Sequence, residues 1–176
     1  QLLDTLNLHG RVTDAAVVTD AVARAKLWRV REDGAGLSSR RVDGVQTWPG
    51  WEDSAVEPER LADYLSELLP LVEKYKYSAF MYGHFGAGCV HMRLDYDLRT
   101  DRGLGDFEAF IREAAELVVA HGGSLSGEHG DGRARSELLS VMYSPEIIDL
   151  FARFKRIWDP ENLLNPGIIV DPNGFT

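Results

Sequence analysis

The sequence predicts an α+β domain, an antiparallel sheet with helices packed on one face. Two observations carry that class. Tyr77 to Gly83 reads as an aromatic and apolar strand, and Val90 to Tyr96 alternates Val90, Met92, Leu94 and Tyr96 with His91, Arg93 and Asp95. Strands this close in sequence pair as a hairpin, because a parallel crossover needs a dozen or more residues. The second observation is a set of amphipathic helical stretches before and after that hairpin, whose apolar stripes need one face of a sheet to cover them. A length of 176 residues, 44 % apolar and 27 % charged, suits one globular domain of ordinary size.

In chain order, Thr13-Asp14 offers an N-cap for a helix over Ala15 to Arg31. Val18, Val22, Ala25 and Trp28 recur at helical spacing, and Asp33-Gly34-Ala35-Gly36 should end it. Arg41 to Trp48 and Trp51 to Val56 read as short extended pieces separated by a turn at Pro49-Gly50. Pro58 opens a helix over Glu59 to Lys76 with Leu61, Leu65, Leu68, Leu69 and Val72 on one face, and Pro70 is expected to kink or shorten it. After the hairpin, Arg99 to Gly105 reads as a polar connection. Asp106 or its neighbour then caps a helix over Phe107 to His121, which Gly122-Gly123 stops. Ser124 to Ser126 is a short extended piece. Helix resumes from Arg133 to about Val141 and from Pro145 to Trp158, the latter with Ile148, Phe151, Phe154 and Ile157 apolar. The prolines of Asp159 to Pro172 leave an irregular tail.

Charge and composition exclude several classes. The formal net charge is −9 and the Lys and Arg residues are scattered, which weighs against nucleic acid and anionic membranes as partners. A local basic pocket for a small anion is compatible with such a surface. The single cysteine, Cys89, allows no intrachain disulfide and points to a cytoplasmic setting, at most peripheral to a membrane. No apolar run approaches the roughly 20 residues of a transmembrane segment. The chain begins at Gln1 rather than Met, with no recognisable first element, which suggests a piece of a longer polypeptide.

Chemistry concentrates in two glycine-rich stretches, Gly83 to His91 and Ser126 to Gly132. They bring His84, His91, Glu128 and His129. Two neutral imidazoles and a carboxylate, with one position left open, form a common catalytic metal sphere, and an adjacent histidine is then placed to move a proton. The spacing matches neither a zinc finger nor a His-Glu-x-x-His helix, so turn chemistry with solvated histidines is the competing reading. Gly83 to Gly88 leads into a strand rather than a helix, so it is not a dinucleotide loop. Cys89 makes a weak nucleophile candidate. Arg93 lies beside His91 on the polar face and could hold a carboxylate or pair with Asp95 or Asp97. Arg31, at a helix C-terminus, complements the helix dipole. Arg133 and Arg135 open a helix where positive charge is mildly unfavourable, close to the second loop. A stand-alone metal-dependent hydrolase or lyase and a non-catalytic binding domain both remain compatible with these residues.

Gly83-His84-x-Gly86-x-Gly88-x-x-His91, Gly127-Glu128-His129-Gly130 and Asp159-Pro160-x-x-Leu163-x-Asn165-Pro166-Gly167, in that order, resemble the C-terminal part of the FAD-linked oxidases. This group includes D-lactate dehydrogenase, the glycolate oxidase flavoprotein subunit and D-2-hydroxyglutarate dehydrogenase. Trp28-x-x-Arg31-Glu32 and Glu59-Arg60-Leu61 fit upstream. The resemblance implies a ferredoxin-like cap or substrate domain over residues 1–158, and a tail over 159–176 that returns to an N-terminal FAD-binding domain. It implies a divalent metal, zinc being the first expectation, on His84, His91 and Glu128, with His129 as proton acceptor from the substrate hydroxyl. Arg31, with Arg93, would meet the carboxylate of a small D-2-hydroxy acid, and Asn165 would lie at the cofactor. Relatives usually carry Asp and Asn where this chain has Ala87 and Cys89, and some carry a substrate lysine nearest Trp51. The Cys89 variant resembles a branch of long flavoproteins fused to iron–sulfur domains, which would pass electrons to another acceptor.

Overall fold

The computed structural model describes residues 16–37 and 44–175. The chain divides into two compact units between Leu37 and Ser38. The first contains helix α1 (Ala21–Leu37). Asp20 starts it, its Oδ1 accepting from Ala23 N at 2.7 Å, so the helix begins later than the sequence suggests. Thr13-Asp14 lies outside the described residues. Gly34 and Gly36 continue the helix instead of ending it, since glycine weakens a helix without forbidding it. Val22, Leu27, Trp28 and Val30 are exposed and fall around the whole circumference, so the expected single apolar stripe does not form.

The second unit runs β1 (Trp48–Ala55), a 3-10 turn (Pro58–Arg60), α2 (Leu61–Lys74), β2 (Ala79–His84), β3 (Cys89–Leu94) and α3 (Asp101–Ala120). Short helical turns over Gly132–Arg135, Ser136–Leu138 and Leu139–Met142 lead to α4 (Pro145–Trp158). The three strands form an antiparallel sheet in the order β1-β3-β2. Ser124 adds an antiparallel bridge to Ala55 on the outer side of β1. With α2 between β1 and β2 and α3 before Ser124, this is the ferredoxin-like order, its fourth strand reduced to a bridge. Among the described residues, no helix is long and apolar enough to cross a membrane.

Helices α2 and α3 cover one face of the sheet. Tyr64, Leu68 and Val72 of α2 and Phe110, Ile111, Ala114, Ala115 and Val118 of α3 pack in one cluster with Trp51, Met92 and Leu94. Trp51 Nε1 donates to Tyr64 Oη at 3.0 Å, and Tyr64 Oη donates to Ser54 Oγ at 3.0 Å, so the polar atoms of these three side chains are paired. Pro70 sits on the exposed side of α2, where the carbonyl it leaves without a partner meets water, and the helix runs through it. Leu69 is exposed as well, and Tyr64 takes the buried place expected of it.

Helix α3 starts well before Asp106. Thr100 caps it, accepting from Gly103 N at 3.1 Å while donating to Asp97 Oδ2 at 2.8 Å. Gly103 is a packing residue rather than a breaker: a Cβ there would stand 1.9 Å from the carbonyl oxygen of Asp97. On α4, Ile148 packs against the core, whereas Phe154 and Ile157 of the expected stripe are 66 % and 73 % exposed.

Strand β1 departs most from expectation. Pro49-Gly50 lies within the strand and does not break it into separate pieces; Arg41 to Asp43 are outside the described residues. Trp48, Trp51 and Ser54 pair with Leu94, Met92 and Val90, so three steps along β1 twice match two along β3. Each mismatch is a bulge holding one extra residue. The first contains Pro49-Gly50, where the ring of Tyr96 would lie 1.9 Å from a Cβ on Gly50. The second contains Glu52 and Asp53, and Asp53 takes a left-handed conformation with φ 74°. Strict alternation would send these two carboxylates to opposite faces. The bulge turns both away from the core, which positions the site.

Candidate active site

The sheet face opposite α2 and α3 carries Phe80, Tyr82 and His84 from β2 and Cys89, His91 and Arg93 from β3. Tyr82 is the cross-strand partner of His91, and His84 that of Cys89. The connection is tight. Phe85–Ala87 forms one 3-10 turn, and Gly88 closes it at φ 73°, donating to Phe85 O at 3.0 Å. His91 is 4 % exposed because its ring stacks near-parallel on Tyr82 (5.1 Å, 28°) and on His129 (4.8 Å, 20°).

The second glycine stretch, 126–132, has no ladder to hold it. Asp53 takes that role. Its carboxylate accepts from Ser126 Oγ, from Glu128 N at 3.0 and 3.1 Å, and from His129 N at 2.7 Å, while its carbonyl accepts from Gly127 N at 2.7 Å. Burial works against the charge on Asp53, but the Ser126 hydroxyl, the His129 and Glu128 amides and the Cys89 thiol outweigh it and hold the carboxyl down at about 2. Gly127 permits the approach, since a Cβ there would stand 2.9 Å from Ala55 Cβ. Beyond the stretch, Arg135 is buried and donates to Gly50 O at 3.1 Å and Glu52 O at 3.0 Å, its guanidinium 4.7 Å from the Trp51 ring. Burial lowers the Arg135 pKa, and neighbouring Tyr96, Asp131 and Asp53 oppose that shift.

These anchors bring the four singled-out residues together. Glu128 Oε1 lies 3.3 Å from His84 Nε2, 3.4 Å from His91 Nε2 and 3.9 Å from His129 Nε2. Ligand atoms of Asp53, His91, Glu128 and His129 all fall within 4.8 Å of one another. The Nδ1 atom of His91 is buried without a hydrogen bond, 3.3 Å from Glu52 Oε2 at a poor angle. Glu52 also accepts from Tyr82 Oη at 3.3 Å. Arg93 faces Glu52 (Nε to Oε1, 3.7 Å) and not Asp95 or Asp97 as the spacing allowed; the Asp97 carboxylate accepts from Thr100 and from Arg99 N. Cys89 donates its thiol to Asp53 at 3.2 Å, and burial with the Asp53 contact pushes its pKa up to about 12, so it is a neutral donor and no nucleophile.

Trp51 and Asn165 are not part of this cluster. Trp51, nearest the lysine of some resembled proteins, is fully buried on the core side. Asn165 is exposed at φ 49° in the tail, and among the described residues no hydrogen bond joins it to the histidines. Arg31 belongs to α1, and its side chain lies outside the described residues. Sequence reasoning missed Glu52, Asp53 and Tyr82, and gave Arg135 too little weight. Adjacent carboxylates inside an extended piece, Trp51-Glu52-Asp53-Ser54, were the one available signal.

A family model for the C-terminal domain of FAD linked oxidases matches residues 2–169. D-2-hydroxyglutarate dehydrogenase of Haemophilus influenzae is 35 % identical over 174 residues, covering 98 % of this chain and 17 % of that protein. D-lactate dehydrogenase of Archaeoglobus fulgidus is 34 % identical over 118 residues, 67 % of this chain and 26 % of that protein. Glycolate oxidase subunit GlcD of Bacillus subtilis is 31 % identical over 116 residues, 66 % of this chain and 25 % of that protein. The chain thus matches 17 % to 26 % of the length of these relatives. With nearly its whole length matched and the ferredoxin-like order in place, the chain belongs to the FAD linked oxidase family, as its C-terminal domain.

Proposed function

We propose that this chain is the substrate-facing cap of an FAD- and metal-dependent dehydrogenase that oxidises a small D-2-hydroxy acid, of the lactate, glycolate or 2-hydroxyglutarate type. The observation behind this reading is the convergence of His84, His91 and His129 Nε2 on Glu128 Oε1, within 3.9 Å. Imidazole nitrogens and a carboxylate suit zinc and related divalent ions, so the donor set fits a metal. His84, His91 and Glu128 would hold it. When bound, the ion supplies a Lewis acid for the hydroxyl and carboxylate oxygens, and FAD supplies the hydride acceptor.

The chain's own residues do the rest. The His129 backbone is fixed by Asp53 while its ring, 54 % exposed, is open to a ligand and takes the hydroxyl proton. Arg93, turned to the site by Glu52, meets the substrate carboxylate; family resemblance alone gives Arg31 the same task and puts Asn165 at the cofactor. Residues 1–158 form the cap and 159–176 return to the FAD-binding domain. Electrons then leave for an acceptor outside this chain, such as an iron–sulfur domain.

The test is metal content and flavin bleaching in the full-length protein. Wild type should carry metal, and His84→Ala and Glu128→Ala should lose it; equal occupancy in all three overturns the site. His129→Ala should keep flavin and metal but bleach about 100-fold more slowly with D-lactate, glycolate or D-2-hydroxyglutarate. An unchanged rate removes His129 as the base.

A further inference from the structure

Asp53 could be taken for a fourth ligand, since it stands within 4.8 Å of His91, Glu128 and His129. Its surroundings say otherwise. Both carboxylate oxygens are occupied, Oδ1 by Cys89 Sγ and Glu128 N, and Oδ2 by Ser126 Oγ, Glu128 N and His129 N. The residue is 1 % exposed, and its left-handed backbone within the bulge fixes where the carboxylate stands. Ligation would require some of these donors to be given up, each then left unpaired near the core.

We infer that Asp53 is a positioning residue, an anionic clamp that gathers the amides of Glu128 and His129 and sets both side chains against the hairpin histidines. The carboxylate does for the second loop what ladder hydrogen bonds do for the first. One residue ties four consecutive positions of an otherwise irregular stretch, Gly127 through its backbone carbonyl and Ser126, Glu128 and His129 through its charged side chain. A carboxylate suits this best. An amide with its oxygen in the Oδ2 position would still meet Ser126, Glu128 N and His129 N, but as a neutral and weaker acceptor, and its NH2 group would replace the acceptor that now faces Cys89 Sγ and Glu128 N. The amide arm of the inference stands without any metal; the affinity arm rests on the proposed metal site.

The experiment compares wild type, Asp53→Asn and Ser126→Ala in the full-length protein. Hydrogen exchange is read without added metal, zinc affinity by titration, and the electron paramagnetic resonance spectrum at saturating Co²⁺. In Asp53→Asn the amides of Glu128 and His129 should exchange about tenfold faster or more, with β3 amides unchanged. Zinc affinity should fall about 10- to 100-fold, while the Co²⁺ spectrum stays that of wild type. Unchanged exchange, or an altered Co²⁺ spectrum, overturns the clamp, the latter by making Asp53 a ligand. Should Asp53→Asn fail to fold, Ser126→Ala carries the same test: it removes one donor and should speed those amides less, and no effect on them overturns the proposal. A wild type that takes up neither Zn²⁺ nor Co²⁺ refutes the metal site and leaves the clamp to stand or fall on exchange.

Discussion

The two glycine stretches hold the same kinds of residue by different means. Gly83 to His91 is a hairpin: its histidines sit on adjacent paired strands, so ladder hydrogen bonds fix their backbone. Ser126 to Gly132 joins no ladder among the described residues: past the bridge at Ser124 its backbone meets β1 through Gly127 N on Asp53 O, and two side chains fasten it, Asp53 ahead and Arg135 behind, both belonging to or bound to the bulged region of β1. Half of the site is therefore scaffold and half is tethered. Side-chain anchors are released singly while a ladder opens cooperatively, so the tethered half should open at lower cost than the hairpin.

The largest effect that would test this contrast lies in the hairpin. Gly88 is at φ 73°, and a Cβ there would stand 1.9 Å from Val56 O and 3.0 Å from its carbonyl carbon. Backbone cannot swing aside as a side chain can. Gly88→Ala should therefore lower stability by about 3 kcal/mol or more, seen as a drop in unfolding temperature. Gly86, in the same turn with nothing within 4 Å, serves as control, and Gly86→Ala should stay within about 0.5 kcal/mol. A mild Gly88→Ala would mean the hairpin can flex after all.

A smaller effect is expected at the rear anchor. Arg135→Met would leave the carbonyls of Gly50 and Glu52 without that donor, inside the protein, for about 2 to 3 kcal/mol. Arg135→Lys should not restore it, because one ammonium cannot match a fork spanning two carbonyls. The contrast predicts where the damage goes: metal affinity should drop while hydrogen exchange at His91 and Arg93 stays slow. Loss of protection along β3 would show the two halves to be one cooperative unit.

How much of this was legible follows from the same division. The hairpin could be read, because period-two alternation and a glycine turn are local signals and His84 and His91 follow from them. The faces of α2 and α3 could be read for similar reasons, although Thr100 and Gly103 show that a cap and a tightly packed glycine imitate a loop. The tether could not. Asp53 reaches the second loop across more than 70 positions, and only a bulge places it beside Glu52 on one face. Nothing in a one-dimensional pattern marks a bulge, and Pro49-Gly50 in the same strand looked like a turn for that reason. Arg135 looked unfavourable at the start of a short helix because its partners are carbonyls on another element.

The smallest effect separates what glycine does in the two halves. Gly130 lies at φ 84°, and a Cβ added there would meet nothing within 4 Å, so its glycine answers to conformation and not to crowding. Gly130→Ala should lower stability by about 1 kcal/mol, the ordinary difference for a left-handed position. Gly130→Asn should recover much of that, because asparagine tolerates the same region. Zinc affinity should follow stability only weakly, since Asp53 grips the chain before Gly130 and not at it. If Gly130→Ala proved as damaging as Gly88→Ala, the open space beside Gly130 would be filled in the full-length protein. The tethered half would then owe its order to that contact as much as to Asp53 and Arg135.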